Sequence, residues 1–105
     1  MLNEEKNLVY RRDYFRYIMN DSVSLLTKKG NEIEMILKDL SARGAGVVGD
    51  SPLEVNEKVT AVISAPFFFD SPVHRQATIV WCQRIANNLW QGGLDFGIDN
   101  KIELA

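Results

Sequence analysis

The chain has 105 residues, 46% hydrophobic and 25% charged, the balance of one ordinary globular domain rather than of a disordered or fibrous chain. Folding at this length buries about 60–70% of the unfolded chain's surface, so a single core needs no disulfide or metal staple. Twelve Lys and Arg against fourteen Asp and Glu leave a net charge of −2, which disfavours long nucleic acid and anionic membrane as partners. A compact anionic ligand responds to local charge, and that class stays open.

The opening Met-Leu-Asn-Glu-Glu-Lys is acidic where a signal peptide is basic, and no apolar run approaches the ~18 residues of a spanning helix. The expectation is a cytoplasmic domain without membrane insertion, in which residues 1–8 form a flexible N-terminal segment and residues 9–17 an arginine-rich loop. The lone Cys82 and lone His74 predict no disulfide and no metal site.

Alternation at period two marks the strands. Ser22 to Thr27 and Glu32 to Lys38 read as a hairpin: Ile33, Met35 and Leu37 share a face, and Lys28-Lys29-Gly30-Asn31 supplies the turn. Leu53 to Lys58 is long enough for one helical turn. Val59, Ala61 and Ile63 line one face of the next strand. Ala77, Ile79 and Trp81 line one face of another, which leaves Trp81 open to simple core packing. In Leu89 to Ile98 the even residues Trp90, Leu94, Phe96 and Ile98 form a face, and Gly92-Gly93 permits a bulge or a close backbone approach. Phe67-Phe68-Phe69 reads first as a plug for one end of the fold and second as a partner-binding patch. An all-β domain follows, a small antiparallel barrel or sandwich with little helix.

Two segments carry chemistry. Arg11, Arg12 and Arg16 are three of the chain's six arginines, within six positions. A helical or an extended backbone brings Arg12 and Arg16 to one side. Paired guanidinium forks suit phosphate oxygens, and their flat faces stack on aromatic rings. The plainer reading of the cluster is a solvated segment in which Asp13 pairs with one arginine. The second segment, Lys38-Asp39-Leu40-Ser41-Ala42-Arg43-Gly44-Ala45-Gly46, reads as a turn in which Asp39 and Ser41 project together and Gly44 and Gly46 supply positive φ. A carboxylate there can accept from the ring N–H and exocyclic amine of a guanine. The plainer alternative is an Asx-turn in a β-connection.

In order and spacing these segments resemble the PilZ domain, a bacterial receptor module for cyclic di-GMP. Arg12-Asp13-Tyr14-Phe15-Arg16 fits its Arg-x-x-x-Arg motif, with Arg11 before it. Asp39-Leu40-Ser41-Ala42-Arg43-Gly44 fits Asp/Asn-x-Ser-x-x-Gly, followed by Ala45-Gly46. Ile79-Val80-Trp81 and Gly93-Leu94-Asp95-Phe96 fit later features, so the resemblance covers about Val9 to Phe96. It implies a six-stranded antiparallel barrel over residues 18–99 with the arginine segment lying across it. It also implies a non-catalytic receptor that signals to an unidentified downstream protein. Arg12 and Arg16 would hold phosphates and guanine edges, Asp39 and Ser41 a guanine, and Trp81 a stacked base, with Arg43 in reach of a phosphate. Arg11 points to a stacked ligand dimer, two ligands per protein. Many members continue into a C-terminal helix, but nine residues follow Phe96, so that helix is expected to be absent or short. The alternative is a PilZ-like adaptor that binds protein and no nucleotide. No cofactor beyond the ligand is implied, and no acid–base or nucleophile spacing recommends an enzyme.

Overall fold

The structure, a computed structural model, describes residues 16–104. The expected flexible segment 1–8, most of the arginine segment, and Arg11 and Arg12 lie outside the described residues.

Six antiparallel strands close into a barrel in the order β1-β2-β3-β6-β5-β4. They are β1 Arg16–Thr27, β2 Glu32–Ser41, β3 Gly44–Gly49, β4 Lys58–Ser64, β5 Val73–Ala86 and β6 Leu89–Asp95. Closure comes from the pairing of β1 with β4, Ser22 opposite Ser64 through Thr27 opposite Val59, which leaves this stretch no open edge. No described residue is helical, and the chain after β6 runs on to Leu104 without a helix.

Alternation builds the core as expected at most positions. Val23 and Leu25, Met35 and Leu37, Val59, Ala61 and Ile63, and Ala77 and Ile79 all point inward and are buried. Each such aliphatic side chain larger than alanine contributes about 1.5–3 kcal/mol on full burial. The β1–β2 hairpin turns at Gly30, whose φ of +94° favours glycine although nothing crowds the position. The chain after β6 contributes Phe96 and Ile102, the latter 2% exposed. Their amides donate to the β2–β3 hairpin, Phe96 N to Arg43 O and Ile102 N to Ala42 O, both at 2.8 Å.

Several expectations change. Arg16 and Tyr17 already belong to β1 rather than to a loop. Leu53 to Lys58 makes a non-helical turn, with Asn56 at φ 76°. Ile98 is off the barrel and exposed, because β6 ends at Asp95 and Gly97, at φ +79°, redirects the chain. The Asp39–Gly46 segment is not a simple turn: Asp39 and Ser41 end β2, while Gly44 and Gly46 lie in β3 without positive φ. β3 escaped the sequence reading because two of its first three residues are glycine, yet Ala45 between them and Val47 after them are core.

The phenylalanine run divides. Phe68 and Phe69 pack against the core, and Phe68 meets the Tyr17 ring edge-on at 4.9 Å, so these two close an end of the barrel. Phe67 is 89% exposed.

Candidate ligand groove

One row of paired residues crosses five strands on the outside of the barrel: Ile18 of β1 opposite Asp39 of β2, Asp39 opposite Gly46 of β3, Gly46 opposite Gly93 of β6, and Gly93 opposite Trp81 of β5. Directly paired residues share a face. At strand spacings of about 4.8 Å, Asp39 and Trp81 stand ~14 Å apart along the sheet. The floor between them is two glycines. A Cβ on Gly46 would lie 2.6 Å from Asp39 Oδ2, and one on Gly93 would lie 2.6 Å from Cδ1 and 2.9 Å from Cε2 of Trp81. The carboxylate and the indole therefore lean inward over bare backbone from opposite sides.

Two β-bulges put them there. In β2 the register slips between Leu37 and Asp39 relative to β3. Leu37 and Leu40 are buried, and Lys38 and Asp39 both face out between them. In β5 it slips between Ile79 and Trp81 relative to β6, so Ile79 stays in the core while Val80 and Trp81 both emerge. A bulge adds one residue and shifts the inside–outside alternation, and such irregularities commonly sit beside functional sites. The expectation that Trp81 shares the face of Ala77 and Ile79 fails for this reason. The ring is 42% exposed and lies over Gly93 rather than in the core. Beyond the bulge Cys82 turns inward, where it packs on the core and its Sγ accepts the Leu53 amide at 3.4 Å.

The resulting groove has a volume of about 370 Å³, within the range of small-molecule sites, and is lined by Arg16, Lys38, Asp39, Gly46, Trp81 and Gln91 among others. The Arg16 Nη1 donates to Asp39 Oδ1 in a charge-assisted hydrogen bond. This pair joins the last residue of the first arginine motif to the first residue of the second motif, 23 positions away.

Four expected site residues thus come together: Arg16, Asp39, Gly46 and Trp81. Ser41, Arg43 and Gly44 lie instead at the β2–β3 hairpin end, outside the groove lining. Ser41 is 6% exposed, and its hydroxyl accepts from Arg43 N at 3.3 Å and Gly44 N at 3.2 Å while donating to Gly44 O at 3.3 Å. Its hydrogen-bonding capacity is spent holding the turn. Gly44 is required for packing, since a Cβ there would lie 2.5 Å from Leu94 O. Arg43 Nε stands 3.7 Å from Asp95 Oδ1, too far for a hydrogen bond, and is buried without one. Ser41→Ala is expected to cost about 1–3 kcal/mol of stability by stranding two amides, measurable by chemical denaturation.

The sequence reading missed Lys38, Val80 and Gln91 as lining residues, and it noted Gly93 only as a place of close approach. A second concavity of about 250 Å³, lined by Thr60, His74, Arg75, Gln76, Asp99, Asn100 and Lys101, holds none of the motif residues. Among the described residues no cluster suits a metal ion, and no helix is long and apolar enough to cross a membrane.

A family model described as PilZ domain matches residues 10–104, nearly the whole chain. The chain belongs to the PilZ domain family. This family comprises cyclic di-GMP receptors, generally non-catalytic binding modules that also interact with partner proteins. Among solved structures this PilZ domain is similar to the Bacillus subtilis Inhibitor of motility (MotI/DgrA), with a TM-score of 0.66 and 20% identity. The match covers 90% of this chain and 44% of that one, so this PilZ domain spans less than half of that protein, and the likeness is one of fold. No curated protein matches the chain.

Proposed function

We propose that this PilZ domain is a non-catalytic receptor for cyclic di-GMP that binds the ligand in the glycine-floored groove and signals to a partner protein. The supporting observation is the Arg16–Asp39 pair, which brings residues from both motifs together beside Gly46 and opposite Trp81. On binding, Asp39 exchanges Arg16 for the ring N–H and amine of a guanine, and Arg16 turns its fork to a phosphate or to the guanine edge. Trp81 offers an indole face to a base, a contact of about 1–3 kcal/mol. Arg12 supplies a second phosphate contact, and Arg11 a second, stacked ligand. Ser41 acts by holding the hairpin that positions Asp39. From the β2–β3 hairpin end, outside the groove lining, Arg43 would have to leave Asp95 to reach a phosphate. The arginine segment closes over the ligand, and that reordering is what a partner reads, since a ligand shifts conformations only through its different affinity for them.

Exposed Phe67 favours the second reading, an adaptor that binds protein without nucleotide. Titration with cyclic di-GMP in the presence of a single-stranded oligonucleotide separates the readings. The receptor binds saturably at one or two ligands per chain and is not displaced by the oligonucleotide. An adaptor gives no binding, and displacement by the oligonucleotide would overturn the receptor reading.

A further inference from the structure

The groove's charge balance singles out a residue that neither motif contains. Among the described residues its charged lining consists of Arg16, Lys38 and Asp39. Of these, Arg16 and Asp39 neutralise each other, which leaves the Lys38 ammonium as the unpaired charge among the described lining residues. That ammonium donates to the neutral amide oxygen Asn20 Oδ1 at 3.2 Å, and among the described residues no carboxylate pairs with it. Its position is built rather than incidental. Without the β2 bulge, an outward Lys38 and an outward Asp39 could not be neighbours, because successive strand residues point to opposite faces. Opposite this bulge β1 carries its own irregularity between Ile18 and Asp21, which places Asn20 where it bonds Lys38.

We propose that Lys38 is an anion-binding residue of this groove that takes a phosphate of the bound nucleotide, exchanging Asn20 for a phosphate oxygen. The inference rests on the cyclic di-GMP reading above. A cyclic dinucleotide carries two phosphodiester charges, and once Asp39 engages a base, Lys38 adds a cation for them to those of the arginines. An ammonium has three donors on a flexible stem and acts as a point charge, so it follows a phosphate without demanding bidentate geometry.

The test compares cyclic di-GMP affinity for the wild-type chain, Lys38→Met and Lys38→Arg by calorimetry at low and at high salt. Lys38→Met is expected to bind about tenfold more weakly at low salt, with a smaller loss of affinity on raising salt than wild type, because an exposed charge is screened by ions. Lys38→Arg should stay within about threefold of wild type, since it keeps the charge. Wild-type affinity and wild-type salt dependence in Lys38→Met overturn the role of Lys38 and leave the receptor reading intact. Equal losses in both variants also overturn it, since they indicate shape rather than charge. No binding by the wild-type chain overturns the receptor reading, and this one with it.

Discussion

Arg16→Ala is expected to weaken cyclic di-GMP binding at least ~10-fold while barely changing the stability of the barrel. The two effects separate because the Arg16–Asp39 pair is partly open to solvent at the start of β1. Surface ion pairs contribute about 0–1 kcal/mol to folding. A charge-assisted hydrogen bond to a ligand contributes about 1.5–3 kcal/mol, and each 1.4 kcal/mol is tenfold in affinity. Removing Arg16 also leaves the Asp39 carboxylate without its ion-pair partner, so its repulsion of phosphate is less offset. Arg16→Lys should recover only part of the loss, because the ammonium lacks the planar fork. Calorimetry and thermal denaturation on the same samples check both halves. Unchanged affinity in Arg16→Ala removes the mechanism as written.

Gly93→Ala is expected to weaken binding by a similar or larger factor. The added methyl would occupy the place of the Trp81 ring, 2.6 Å from Cδ1 and 2.9 Å from Cε2, so the indole must lift off the floor. Gly93 does not have positive φ, so alanine brings no backbone penalty there. Overpacking usually costs about 1–3 kcal/mol, and here the lower end applies because one side of the ring faces solvent. Binding loses the stacking platform, about 1–3 kcal/mol, and part of the bare floor as well. Trp81→Ala is the matched control. It removes the platform and leaves the floor, so Gly93→Ala should bind no better than Trp81→Ala. Wild-type affinity in Gly93→Ala would contradict the placement of ligand on this floor.

Alternation made much of the barrel legible in the sequence: Ile33, Met35 and Leu37 in β2, Val59, Ala61 and Ile63 in β4, and Ala77 and Ile79 in β5 face as the pattern predicts. It failed where a strand breaks its own period. Trp81 follows Ile79 by two positions, and only the bulge at Val80 carries it outside. The same device brings Asp39 out beside Lys38 on the outer face. No local pattern announces a bulge, because it is fixed by pairing with a neighbouring strand. β3 was hidden for a related reason. Glycine has low strand preference in isolation, and Gly44 and Gly46 make sense only against Leu94 and Asp39, which lie on other strands. Of the candidate site, the motif residues were visible as chemistry, but the Arg16–Asp39 contact was not. Ser41 was visible as a polar side chain, but the bonds of its hydroxyl to two amides and a carbonyl of its own hairpin were not.

In the proposed complex cyclic di-GMP lies across Gly46 and Gly93 between Asp39 and Trp81. Nitrogen–proton correlation spectra recorded during titration with cyclic di-GMP test it at the residues concerned. The Trp81 indole N–H and the Gly46 and Gly93 amides should move together and saturate, while the His74 and Lys101 amides beside the second concavity stay in place. Saturating shifts centred on His74 and Lys101, with the Trp81 indole unmoved, would contradict it.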